Sequence, residues 1–286
     1  MHKLKRLFIR EWAMVQGNLD TWLRSPRTIL MAVFVMAECY LQAHSYGMML
    51  DARKLTMHYG ETMFYALNRG CNMPLTSIVF LMMVSEMPRR IPFQHYALIR
   101  CSRAMWLLGQ IIYCLFTVVF MLGLIVLCFS LFSFPFVTHG TGWSDIARLA
   151  EGMDIREILV PGYILQGGFT PLSASLAAIL PLFFFWFTMV LVILFFSLLE
   201  TPVIGIATYA FLLLANVSIL YEVIPGFRTP IHFATLANIT SVVFEKKMVF
   251  FARVIAIYAI IDLALIALMT WQVRRTELNF YASNQM

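Results

Sequence analysis

The chain has 286 residues, 61% of them hydrophobic and 15% aromatic, with only 13% charged and a mean hydropathy of +0.80. That is more apolar surface than one water-soluble core can hide, so a soluble globular domain is excluded and a polytopic membrane protein is expected. The net charge of +6 then reads as a topology signal, with basic residues marking cytoplasmic loops and anionic headgroups rather than nucleic acid. Several apolar runs reach the roughly 20 residues that a helix needs to cross about 30 Å of hydrocarbon. They are continuous rather than alternating, which argues against a closed barrel.

The N-terminus is basic and lacks both the short apolar core and the cleavage site of a signal peptide, so it is expected to remain in the mature protein. Leu4, Phe8, Trp12, Val15, Leu19 and Trp22 recur at three- and four-residue spacing, with Lys3, Arg6, Arg10, Gly17, Asp20 and Arg24 opposite them. This predicts an amphipathic elbow helix within residues 1–27, lying in the membrane interface or packed on a partner. Ser25-Pro26 supplies an N-cap and a first-turn proline, opening a first span over 28–47. A polar outer segment with Asp51, Arg53, Lys54 and Glu61 follows, then a short second span over 70–87.

If 70–87 did not cross, the basic N-terminus and the basic stretch 88–104 would lie on opposite faces, against the positive-inside tendency. The third span, 105–132, is long enough to tilt or project. Residues 133–173 are expected outside, with a short surface helix from Trp143 to Glu157 turning Ile146, Leu149, Ala150 and Met153 inward. Spans over 174–199 and 202–221 are joined by a tight hairpin at Glu200-Thr201-Pro202. Pro225, Gly226 and Pro230 break 222–248, which fits short re-entrant helices on the outer side. A sixth span, 249–271, ends at Arg274-Arg275. The expected fold is therefore all-α, a single domain of six transmembrane helices with both termini cytoplasmic.

Five cysteines, Cys39, Cys71, Cys101, Cys114 and Cys128, form no C-x-x-C pair and read as small buried hydrophobes. No G-x-x-x-x-G-K-[ST], G-x-S-x-G or H-E-x-x-H occurs, so the chain carries no P-loop and no recognisable hydrolytic motif. The histidines are scattered over both sides, which gives no metal-ligand spacing.

Between the second and third spans, Arg89, Arg90, Arg100 and Arg103 surround Phe93 and Tyr96, which share a helical face with Arg100 behind Pro92. Arginine and aromatic residues together are enriched where proteins dock, whereas topology and headgroup contact alone would need only the arginines. The stretch PRRIPFQHYALIRCSRAMWLLGQ, Pro88 to Gln110, and the layout of elbow helix, coupling segment and broken outer segment resemble the ABC-2 type transporter permease family. The resemblance implies a homo- or heterodimer of permeases in a bacterial plasma membrane, each docked on a separate P-loop ATPase. ATP and Mg would be bound by that partner and no cofactor by this chain, which would not itself be an enzyme. Phe93, Tyr96 and Arg100 would form the contact face, supported by Arg89, Arg90 and Arg103.

Glu38 and Asp262 fall near the middle of the first and sixth spans, where an acid costs up to roughly 3 kcal/mol. No Lys or Arg shares the middle of a span, so protonation, polar neighbours such as Gln42, Asn216 and Thr208, or a wet cavity must offset that cost. Glu38, Asn216 and Asp262 are accordingly candidates for a translocation path or a cation site. Carboxyls that join helices by hydrogen bonds are the structural alternative. Three other functions stay open: a membrane-embedded enzyme acting on lipids or peptides, a sensor or assembly protein, and a proton-coupled secondary transporter using the same acids.

Overall fold

The computed structural model describes residues 15–68, 72–85, 87, 102–140, 142–144, 147, 168–215 and 249–275. Residues 15–23 form helix α1, and α2 covers Pro26–Arg53. Next come a two-residue strand β1 (Met57–His58) and helices α3 (Tyr59–Asn68) and α4 (Asn72–Val84). Helix α5 spans Arg103–Ser133 and runs through a 3₁₀ turn, Phe134–Phe136, into β2 (Val137–Thr138). Helices α6 (Pro171–Leu198), α7 (Pro202–Ala215) and α8 (Val249–Arg275) complete the bundle. The fold is all-α apart from the parallel β1–β2 pair, in register Met57 to Val137 and His58 to Thr138.

Four helices are long and apolar enough to cross a membrane: Pro26–Ala52, Arg103–Phe136, Pro171–Leu198 and Ala252–Arg275. This makes the chain a multi-pass membrane protein. Their outward faces support that reading. On α2, Leu30, Val33, Leu41 and Met48 are exposed, as are Ile260, Leu263 and Trp271 on α8. Such stripes would be an aggregation hazard in water and belong against lipid.

Local chemistry sets the helix ends. Pro26 opens α2 where its missing N–H costs nothing, although the Ser25 hydroxyl at the N-cap does not itself cap the helix. Ser102 accepts from the Met105 amide at the start of α5, and Thr170 accepts from the Ser173 amide at the start of α6. The turn from α6 to α7 is tight, with Glu200 in the left-handed region at φ 62°. Helix α6 is the centre of the bundle and touches α3, α5, α7 and α8. Phe185, Val190, Ile193 and Leu194 on it are wholly buried.

Two differences from the sequence expectation concern the second span. Residues 59–68, expected in a polar outer segment, are the helix α3, and Glu61 within it is completely buried. Helix α4 begins at Asn72 and has 13 residues, roughly 20 Å of rise, which is too short to cross alone. The two helices run down α2 in series. Tyr65 of α3 lies 5.6 Å from Tyr46, Thr76 of α4 bonds Glu38, and Met83 receives the indole N–H of Trp22. Tyr46 and Glu38 mark successive levels of α2, and Trp22, on α1, lies beyond its proximal end. The reason is compositional: a single hydropathy window averages Glu61 with its apolar neighbours and hides the helix.

Helix α1 buries Val15, Asn18 and Trp22 against the proximal ends of α4 and α5, with Gly17, Asp20 and Arg24 exposed. Trp22 meets Phe120 edge-on at 5.2 Å and Tyr113 at 6.4 Å. The amphipathic face is thus turned to the bundle. The coupling stretch 88–101, most of the surface helix expected from Trp143, and the region 216–248 lie outside the described residues.

Candidate functional site

Two half-buried layers of polar chemistry interrupt the apolar bundle, one at mid-depth and one at its distal end. At mid-depth, Glu38 on α2 accepts hydrogen bonds at Oε1 from Gln42 Nε2, 3.1 Å away, and from Thr76 Oγ1, 3.4 Å away. Gln42 is one helical turn along the same face, and Thr76 comes from α4. The second carboxylate oxygen, Oε2, is buried with no hydrogen-bond partner among the described residues. Glu38 also lines a cavity of about 20 Å³ with Gln42, Thr76, Trp186 and residues from the end of α3. That is room for roughly one water molecule.

Asp262 on α8 repeats the pattern on another side of α6. Thr188 Oγ1 donates to its Oδ1 at 2.6 Å, while Oδ2 is buried and unpartnered among the described residues. Trp186 and Thr188 are two residues apart on α6 and point to different sides of it, so the central helix separates the acids at similar depth. No hydrogen bond joins Glu38 to Asp262. The structure therefore builds two half-satisfied carboxylates instead of one carboxylate pair. Around them, Ser77 ties three helices: its hydroxyl accepts from the Trp186 indole at 3.0 Å and its carbonyl from the Tyr209 hydroxyl at 2.8 Å. Trp186 also stacks on Phe80 at 5.1 Å.

The distal layer holds a third buried acid. Both Glu61 oxygens are engaged by Ser144, one by its backbone N–H and the other by its hydroxyl at 2.7 Å. His58 Nδ1 lies 2.6 Å from the Gly142 carbonyl, which can only accept, so Nδ1 carries the proton. Trp143 donates its indole N–H to the Phe169 carbonyl at 2.7 Å. The Phe136 ring lies so close to Gly47 that a Cβ there would enter it. Together these contacts fasten the segments 57–61, 136–144 and 169–175 into a cap over the helix ends.

Of the residues expected from the sequence to matter, Glu38 and Asp262 occupy the mid-depth layer, and Gln42 is the neighbour anticipated for Glu38. Thr208 instead bonds the Ile204 carbonyl of its own helix and faces outward. Arg103 is exposed at the start of α5. Arg89, Arg90, Phe93, Tyr96, Arg100 and Asn216 lie outside the described residues. Sequence reasoning missed Thr76, Thr188 and the Glu61–Ser144 pair. Thr188 carried a signal, being the lone hydroxyl in FFFWFTMVLV, Phe183 to Val192. Ser144 gave none, because its partner is 83 residues away.

Cys39, Cys114 and Cys128 are buried free thiols, and among the described residues no cluster of three or more His, Cys, Asp or Glu could hold a metal. Set against family models, curated proteins and solved structures, the chain matches none of them, so its function has to be argued from this geometry.

Proposed function

We propose that the chain is the membrane-spanning permease subunit of an ATP-driven, ABC-2 type transporter, coupled to a separate ATPase through residues 88–104. The observation that carries the reading is the hydrogen bond from Trp22 Nε1 to the Met83 carbonyl, 3.3 Å long. It brings the N-terminal helix to the end of α4 from which the arginine stretch departs. Ser197, at the end of α6, donates to the Met87 carbonyl at 2.9 Å and reinforces that grouping. Basic N-terminus and basic connector then share one face, as positive-inside topology favours.

In this reading α3 and α4 cross as one span in two pieces, roughly 35 Å of helix in series. With the span expected over 202–221, the chain crosses six times and both termini are cytoplasmic. Phe93, Tyr96 and Arg100 dock on the ATPase, with Arg89, Arg90 and Arg103 flanking them. Movement of that connector passes directly to α4 and α5, whose side chains and backbone flank Glu38 and Trp22. Glu38, Asp262 and Asn216 line the path, and ATP and Mg belong to the partner.

Purification in mild detergent, followed by mass spectrometry of what co-purifies, tests the proposal. A P-loop ATPase is expected with the wild type and is lost from Phe93→Ala/Arg100→Glu. Absence of any ATPase after cross-linking, with no effect of the double change, overturns it. The half-satisfied Glu38 and Asp262 would then favour a proton-coupled secondary transporter, since each has an oxygen able to take a proton inside the bundle.

A further inference from the structure

Helix α8 ends with a charge laid over an aromatic ring. The Arg275 guanidinium carbon lies 4.2 Å from the centroid of the Trp271 ring, one helical turn back, and Trp271 is 52% exposed. Arg274 and Arg275 are exposed as well. They fall three and four residues beyond Trp271, so on a helix they stand either side of it on one face. The same face continues into the span, where Leu268, Leu263 and Ile260 are all exposed. From Trp271 back to Ile260 the helix rises about 16 Å, close to the roughly 15 Å of hydrocarbon in one leaflet. The ring thus stands where acyl chains give way to headgroups, the level at which tryptophan is enriched.

We infer that this face of α8 is a binding site for one anionic phospholipid, its phosphate held between Arg274 and Arg275 and one acyl chain laid along Leu268, Leu263 and Ile260. A guanidinium offers its N–H donors in a fixed fork that matches phosphate oxygens, and its contact with the Trp271 ring holds that fork at headgroup level. Charge decides which lipid is taken. Two arginines side by side complement a headgroup of net negative charge, whereas a zwitterionic headgroup brings its own cation toward them. Free phosphate would meet the arginines but leave the apolar stripe uncovered, so the chain is part of what is recognised. The inference rests on the membrane placement of α8 and does not depend on an ATPase partner.

Native mass spectrometry of the full chain in detergent, titrated with phosphatidylglycerol or with phosphatidylcholine of the same acyl chains, tests it. The wild type should prefer the anionic lipid. Each arginine at a headgroup surface is worth about fivefold in affinity, so Arg274→Gln/Arg275→Gln should lower phosphatidylglycerol binding by about 25-fold and erase the preference. Trp271→Leu, which keeps both charges, should weaken it by about 2–5-fold through loss of the ring under Arg275. Arg253→Gln, at the opposite end of α8, should leave the preference intact, and inorganic phosphate at constant ionic strength should not displace the lipid. Equal affinity for the two lipids in the wild type, a preference that survives the double change, an equal loss in Arg253→Gln, or displacement by phosphate alone would each overturn the site and leave the two arginines as topology determinants.

Discussion

Glu61 and Glu38 are buried glutamates in the same bundle, yet one has both oxygens hydrogen-bonded and the other only one. Glu61 sits where the chain returns over the distal helix ends, and Ser144 presents a backbone and a side-chain donor to it together. Glu38 sits between helices, and both of its donors, Gln42 and Thr76, are side chains that reach the same oxygen. Asp262 shares that predicament and finds Thr188 alone. With a donor on each oxygen, Glu61 is held at both ends and fastens the returning chain to α3. Glu38 and Asp262 each keep one buried oxygen without a hydrogen-bond partner among the described residues.

The comparison can be broken by making the same substitution in both layers. Glu61→Gln keeps an amide oxygen on the Ser144 N–H and turns its N–H₂ to the Ser144 hydroxyl oxygen, exchanging two charge-assisted bonds for neutral ones. Thermal unfolding in detergent should register a loss of roughly 1–3 kcal/mol, and a cost under about 0.5 kcal/mol would show that the distal cap does not hold the bundle together. Gly47→Ala probes the same cap without touching a charge. The new methyl collides with the Phe136 ring, and overpacking of this kind costs about 1–3 kcal/mol. Stability equal to wild type would mean that the ring moves aside freely.

The smallest effects are expected at mid-depth. Glu38→Gln and Asp262→Asn should each change stability by less than about 1 kcal/mol, since the amide oxygen keeps the existing bonds and a buried charge is removed. A large loss in either variant would erase the distinction and assign the acid a structural role like that of Glu61. Transport by these two variants sharpens the comparison further: both should lose rate or substrate preference while remaining folded, and unchanged transport would remove them from the path.

The legibility of the sequence followed the same division. The four long helices were visible because lipid exposure demands unbroken apolar runs, and hydropathy averages over about one span measure that demand directly. Helix starts at Ser25-Pro26 and Thr201-Pro202 were visible because caps and first-turn prolines act within a few residues, whereas the Ser102 cap was not read and the third helix was expected from 105. The mid-depth acids stood out because charge is rare at the centre of an apolar run. Helix α3 escaped detection since His58, Gly60 and Glu61 look like loop chemistry until Ser144 and Pro171 are placed against them.

By itself, then, the sequence determined that this chain belongs in a membrane, where most of its helices begin, and which two acids lie deep within them. Those properties depend on the composition of contiguous residues. Only the tertiary structure decided that two short helices, α3 and α4, run in series along α2, that Glu61 is fastened by Ser144, and that α6 separates Glu38 from Asp262. These depend on pairings between residues as far apart as 83 positions, and a hydrogen bond across that distance leaves no periodic trace in the chain that makes it.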